Sequence, residues 1–108
     1  MAANIMQFKY TGGFDPVEFA TAVTFADSVA LTDSQKDLFV QAVASAASKV
    51  LTLGLQDGQF MLIANVGGTN AFTVKNIADD TGSSLATGKV ALVIGSTTAN
   101  GTKVYVLN

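Results

Sequence analysis

The 108-residue chain contains no histidine, no cysteine and no tryptophan. Without histidine or cysteine, the familiar zinc, haem and iron–sulfur sites lack their ligands, and neither a Ser–His nor a Cys–His nucleophile pair can be built. All six basic residues are lysine, so the bidentate clamp that arginine offers to phosphate is missing as well. These absences predict that the protein is not an enzyme and that it holds no metal and no cofactor.

Charged residues are scarce, at 13 % of the chain, whereas hydrophobic residues reach 49 %. The charged share is about half that of an ordinary soluble protein. A net charge of −2 supplies no basic field for nucleic acid, so we predict no nucleic-acid partner. A surface with few charges suits burial against another protein, because the centres of protein interfaces are depleted in charge. The alternative is the neutral surface of a stable, independent β domain.

The length of the chain fits one domain over residues 1–108. Its apolar runs are too short to span a bilayer, and its first nine residues lack the features of a secretion signal, so we expect no membrane partner. Within the domain we expect three parts: residues 1–14 as an N-terminal arm or edge strand, residues 15–48 as a helical and extended segment, and residues 49–108 as β hairpins.

Two patterns compete near the start of the middle segment. Asp15, Pro16 and Glu18 predict a short helix, because they supply a cap, a proline at the first helical position and a capping-box acid. The large apolar residues Val23, Phe25, Val29 and Leu31 lie at odd positions, which is the period of a strand, whereas the alanines between them favour a helix. We therefore predict a short helix followed by an extended segment over 23–31.

A stronger helix signal follows. Thr32 and Gln35 have the spacing of a capping box. Behind them apolar residues recur at helical spacing, namely Leu38, Phe39, Ala42, Val43, Ala46 and Ala47. This pattern predicts one amphipathic helix over about 33–48, with its apolar stripe packed against a sheet.

From Lys49 the period changes to that of strands. Strands are predicted over 49–53, 59–65, 72–77, 89–94 and 102–107, separated by turn sequences. Asp57–Gly58 and Asn100–Gly101 are hairpin signals, the second of type I′. The predicted fold class is therefore α+β and β-rich, with antiparallel hairpins forming a small sandwich or barrel on which the helix packs.

The one local carboxylate cluster comprises Asp79 and Asp80, with Asn76 and Gly82 nearby. Oxygen-rich turns can bind calcium, but the EF-hand pattern is absent. A pair of aspartates could also serve a small hydrolase. We interpret the cluster as the solvated tip of a loop.

Three aromatic residues, Tyr10, Phe14 and Tyr105, could stack on a sugar. Seven phenylalanines and no tryptophan are more typical of core filling than of a sugar-binding platform. Asn100–Thr102 matches the glycosylation acceptor pattern, and we interpret it as a tight turn.

The second half of the chain resembles short β modules of tailed-bacteriophage virion proteins, in particular capsid decoration (cement) proteins and head-fibre proteins. The resemblance is carried by Leu53–Asn65, Asn70–Asn76, Asp80–Gly82 and Gly88–Ser96, and it covers about half of the chain. It rests on the succession of short strands predicted as hairpins and on the turns between them, which are rich in serine, threonine, asparagine and glycine.

This resemblance implies a homo-oligomeric subunit that is made in the host cytoplasm and binds the major capsid protein on the outer surface of the virion. The candidate contact residues lie in the arm over 1–14, where they either add a strand to a neighbour or form an edge strand of their own domain. They are Ile5, Met6, Phe8, Tyr10 and Phe14. The alternative function is a carbohydrate- or receptor-binding module of a viral fibre or surface adhesin.

Overall fold

The computed structural model of the protein describes residues 21–107. Within that range the chain forms nine β-strands and one turn of 3-10 helix, Asp33–Gln35. The strands are β1 (Val23–Phe25), β2 (Val29–Ala30), β3 (Phe39–Ala44), β4 (Lys49–Thr52), β5 (Phe60–Asn65), β6 (Phe72–Lys75), β7 (Ser83–Leu85), β8 (Val90–Ile94) and β9 (Lys103–Val106).

These strands form two mixed sheets, one of five strands in the order β1-β3-β5-β8-β9 and one of four in the order β2-β4-β6-β7. From β1 to β6 the chain alternates between the sheets, so that neighbouring strands in each sheet are parallel. Phe39 pairs with Leu62, and Lys49 pairs with Phe72. The paired residues are 23 positions apart in these two ladders, 22 apart between β2 and β4 and 19 apart between β1 and β3, and each such offset carries the chain once around both sheets. Strands β7, β8 and β9 then join antiparallel to β6, β5 and β8.

The core lies between the two sheets. Its buried apolar side chains are Phe25, Leu31, Val40, Ala42, Ala44, Leu51, Leu53, Leu55, Met61, Ile63, Phe72, Val74, Leu85, Ala91 and Val93. The small Ala44 lies beside Phe25 in the five-stranded sheet, which leaves space for an aromatic ring. Phe25 packs edge to face on Phe72 of the other sheet, with ring centroids 5.3 Å apart. Phe25 lies in the first passage of the chain around the two sheets and Phe72 in the third, so this contact holds those two passages together.

The predicted amphipathic helix over 33–48 is wrong. The capping-box contact forms, since the Thr32 backbone N–H donates to Gln35 Oε1 at 2.9 Å, but it precedes only the single 3-10 turn. The chain becomes extended at Lys36, and residues 39–44 form β3 with every second side chain buried. Alanine favours a helix by less than about 1 kcal/mol per residue. Pairing with strands on both sides outweighs that preference.

The β-rich class is confirmed, and two open sheets around one core correspond to a sandwich rather than a barrel. The five strands predicted over 49–107 lie within two residues of β4, β5, β6, β8 and β9, and the extended segment over 23–31 contains β1 and β2. The short helix predicted from Asp15 falls outside the described residues.

The predicted chain of antiparallel hairpins is correct only for β8–β9; the antiparallel pair β6–β7 was not predicted. Asp57–Gly58 leads from one sheet to the other instead of closing a hairpin, because β4 and β5 belong to different sheets. Strand β7 lies between the strands predicted over 72–77 and 89–94, where only a turn sequence was expected. A type I′ turn needs positive φ at both central residues; at Asn100–Gly101 only Asn100 has it, with φ 60°, so that turn type was wrong.

Gly95, directly after β8, is a position where a side chain has no room. A Cβ there would lie 2.5 Å from Leu55 Cβ and 3.0 Å from the Gln56 carbonyl oxygen. We therefore expect Gly95→Ala to lower the free energy of unfolding by about 1–3 kcal/mol in a urea titration. The control is Gly68→Ala, because nothing lies within 4 Å of a Cβ at that position; it should change stability by less than about 0.5 kcal/mol. Equal stability of the two variants would contradict this packing.

Candidate interaction surface

One face of the five-stranded sheet is directed away from the core. Met61 and Ile63 are buried in the core, so the alternating side chains Phe60 and Leu62 point outwards. The strand register places outward side chains of β5, β8 and β9 in two rows: Phe60, Ile94 and Lys103, then Leu62, Leu92 and Tyr105. Leu107 continues the ladder beyond β9, because its backbone N–H donates to the Val90 carbonyl at 2.8 Å. We call Phe60, Leu62, Leu92, Ile94, Tyr105 and Leu107 the apolar patch.

Three side chains of the apolar patch are well exposed, and the other three, Leu62, Leu92 and Ile94, are half-buried. Phe60 is 53 % exposed, Tyr105 52 % and Leu107 57 %. Val66, which follows β5 directly, is also exposed. Single exposed hydrophobic residues are ordinary on protein surfaces, whereas a contiguous group marks a site of interaction.

The four-stranded sheet provides an internal comparison. Its outward positions are mostly polar: Thr52, Thr73, Lys75 and Ser84 share rows there with the apolar Val50 and Ala30. Polar side chains on the outward face are expected of a sheet that faces water. On the five-stranded sheet, by contrast, the outward side chains of β5, β8 and β9 are aliphatic or aromatic except for Lys103.

Strand β9 is the edge of the five-stranded sheet next to the patch. Val106 lies opposite the fully buried Ala91 of β8 and on the same side of the sheet. Val106 is nevertheless 49 % exposed, so the four-stranded sheet covers β8 but not this end of β9. Apolar side chains are therefore exposed on both sides of the edge strand.

The predicted capsid-contact residues lie outside the described range, and they stay a prediction. They are Ile5, Met6, Phe8, Tyr10 and Phe14. Of the aromatic residues considered for sugar stacking, Tyr105 is the described one, and it lies in the apolar patch. Its neighbours there are Leu92, Lys103 and Leu107, rather than the carboxylates and amides that bind sugar hydroxyls. The patch itself was not predicted from the sequence, although the apolar runs over 59–65 and 89–94 carry its signal.

Asp80 has a different environment from the one predicted. Its Oδ2 accepts hydrogen bonds from the backbone N–H groups of Asn76 and Ile77 at 3.0 and 3.1 Å, and its Oδ1 accepts one from Asn100 at 2.7 Å. The residue is 5 % exposed, so its interpretation as a solvated loop tip was wrong; Asp79 beside it is exposed.

The charge state of Asp80 follows from these contacts. Burial alone would raise the pKa of the carboxyl group, but the three backbone donors and the positive charge of Lys75 outweigh burial and lower the pKa below its ordinary value. The group is therefore an ionised acceptor at neutral pH. A lowered pKa suits a structural carboxylate and is opposite to that of a general acid.

Asn76 is buried beside it and has every polar atom of its side chain bonded. Its Oδ1 accepts from the Leu55 N–H at 2.6 Å, and its Nδ2 donates to the carbonyl groups of Leu55 and Ser96, both at 2.9 Å. Asn76 and Asp80 thus hold loops together instead of forming a calcium site with Asp79 and Gly82. Among the described residues no group of three or more acidic residues could hold a metal ion.

Two of the surface cavities lined by the described residues contain charged side chains. The larger, of about 370 Å³, lies beside β1, and Asp37 is the charged residue in its described lining. The smaller, of about 150 Å³, lies between β7 and β9 and includes Asp80 and Lys75. Over residues 21–107 no helix is long and apolar enough to cross a membrane.

Comparisons with protein-family models, with curated proteins and with solved structures give no match.

We expect Asp80→Asn to destabilise the protein by about 1–3 kcal/mol at pH 7, because an amide cannot accept all three backbone hydrogen bonds. A carboxyl group with a lowered pKa contributes stability above its unfolded pKa of about 3.9 and loses that contribution as pH falls through its folded pKa. The difference between wild type and variant should therefore shrink below about pH 4. Urea titrations at several pH values measure it. Asp79→Asn is the control and should be nearly neutral; a pH-independent difference for Asp80→Asn would contradict the assignment.

Proposed function

We propose that the protein is a structural subunit of a tailed-phage head, which decorates the outside of the capsid and stabilises it through non-covalent contacts. The observation that carries the proposal is the apolar patch on the outward face of the five-stranded sheet. The sequence resemblance to phage decoration and head-fibre proteins indicates that the assembly is a phage head. A decoration subunit needs a folded domain and an apolar, weakly charged face, and it needs no catalytic group.

The energetics of the patch fit a subunit that works in many copies. Burying an apolar patch of about 400 Å², a common size for a functional patch, contributes about 10 kcal/mol at 25 cal/mol per Å². Lost translational and rotational freedom costs about 4–15 kcal/mol. A single contact is therefore weak, and repetition over a shell surface makes the stabilisation large.

The partner that we propose is the major capsid protein, and the location is the outer surface of the virion after synthesis in the host cytoplasm. An uncharged patch matches a partner surface that is also apolar, because burying an unpaired charge against it would be costly. The N-terminal arm over 1–14 stays a second predicted contact, and the apolar patch does not depend on it.

A sugar- or receptor-binding module remains the alternative function, because Tyr105 is exposed. A glycan array separates the two proposals. Specific glycan binding that is lost in Tyr105→Ala, together with no binding to heads, would favour the alternative over capsid decoration.

We expect Phe60→Lys to weaken binding to purified heads of the source phage at least tenfold, because a charge would be buried at the contact. The measurement is co-sedimentation of the full chain with heads. Phe60 is 53 % exposed and faces away from the core, so the variant should fold normally. Ser84→Lys is the matched control, because it adds the same charge at an exposed position of the four-stranded sheet; its binding should be unchanged.

Failure of the unmodified chain to bind heads would overturn the proposed function. Equal binding by Phe60→Lys and Ser84→Lys would leave the decoration role and reject the apolar patch as its contact.

A further inference from the structure

We propose that β9 pairs antiparallel with β9 of a second copy of this chain, so that two five-stranded sheets become one sheet of ten strands. The pairing is an interaction between copies, separate from the contact with a capsid. It rests on the backbone, the side chains and the symmetry of one edge strand.

Within residues 21–107, the backbone of β9 is hydrogen-bonded to β8 on one side, and no described strand pairs with its other side. Tyr105 lies opposite Leu92 in β8, and the Leu107 N–H donates to the Val90 carbonyl. Backbone groups of an antiparallel strand point alternately to its two sides. The N–H and C=O groups of Val104 and Val106 therefore point to the open edge of the sheet, where β9 is the last strand.

The side chains do not protect this edge. Proteins commonly block edge strands with proline, bulges or several charged residues. Strand β9 and the residue after it read Lys103, Val104, Tyr105, Val106 and Leu107, with one charge, no proline and no bulge in the register. An unprotected apolar edge of this kind is a template for a further strand.

A second copy fits because the edge is self-complementary. Antiparallel pairing about a two-fold axis at Tyr105 places Val104 of each copy opposite Val106 of the other. Both pairs have their backbone groups directed at the interface, so this register forms four backbone hydrogen bonds. Lys103 then lies opposite Leu107 of the second copy, which keeps the two lysines apart. The symmetry is that of an isologous dimer, the commonest homo-oligomer.

The exposed side chains also suit this pairing. The two Tyr105 rings would lie side by side on the outward face. Val106, which the four-stranded sheet leaves uncovered, would meet Val104 of the second copy on the other face. The two apolar patches would become one continuous surface of twice the area.

The absence of cysteine from the chain makes a crosslinking test unambiguous. In the proposed register the two Tyr105 positions form a non-hydrogen-bonded pair with Cα atoms about 4.5 Å apart, within the range of a disulfide. Tyr105→Cys should therefore form a covalent dimer under mild oxidation at least tenfold faster than Thr24→Cys. Thr24 is the control because it is exposed in β1, at the opposite edge of the same sheet.

A second cysteine variant tests the register. The two Leu107 positions would be about 13 Å apart along the strands, so Leu107→Cys should crosslink no faster than Thr24→Cys. Rapid crosslinking through position 107 would overturn the proposed register.

Sedimentation of the unmodified full chain, with no introduced cysteine, measures the dimer independently of crosslinking. We expect a concentration-dependent dimer of twice the 11.1 kDa chain mass. Val106→Lys should weaken the dimer at least tenfold, because it places a lysine at the interface in each copy, whereas Thr24→Lys should leave it unchanged.

Two results together would overturn the pairing: a chain that stays monomeric over a hundredfold range of concentration, and a Tyr105→Cys variant that crosslinks no faster than Thr24→Cys. These outcomes are distinct from those for the capsid contact. Dimers that do not bind heads would reject the proposed function alone, and monomers that bind heads would reject the pairing alone.

Discussion

The parallel pairing of strands 23 residues apart is the constraint on which the rest of the structure depends. Because β3 pairs with β5 and β4 pairs with β6, each connection must cross from one sheet to the other. Every crossing brings backbone polar groups close to the core, where they need partners. The sequence meets this need with short side-chain amides and carboxylates placed at the crossings.

Two asparagines show how the crossings are held. Asn65, at the end of β5, donates to the carbonyl groups of Asn70 and Leu85. Asn76, just after β6, bonds both the N–H and the C=O of Leu55, as a neighbouring strand would. The described residues contain no buried side-chain polar atom without a hydrogen-bond partner. Such fully bonded polar groups fix one register of the winding, because a shifted register would leave them unpaired.

Local patterns in the sequence predicted most strands but not how they pair. The run over 89–94 has turn residues at both ends, and β8 lies there. Ala42 and Ala44 fit a helix as well as a strand, so the helix over 33–48 was predicted where β3 lies between β1 and β5. Ser83 and Ser84 have no apolar alternation, and β7 exists because the ladder of β6 supports it. Which strands pair is decided by contacts between residues far apart in the sequence. Hydrophobic periodicity and secondary-structure propensity are local properties and do not predict those contacts.

The same sequence patterns could have been used to predict the apolar patch. The scarcity of charge predicted a covered surface without locating it, whereas the runs over 59–65 and 89–94 are apolar at odd and even positions alike. Such strands have two apolar faces; the core between the sheets buries one of them, and the other stays half-buried to exposed over much of its area. The second face needs either another layer or an assembly. The four-stranded sheet also leaves Val106 uncovered, so the exposed apolar surface continues around the edge strand β9. Pairing of two copies through β9 would therefore bond the free edge of the strand. It would also join the two apolar patches into one larger surface.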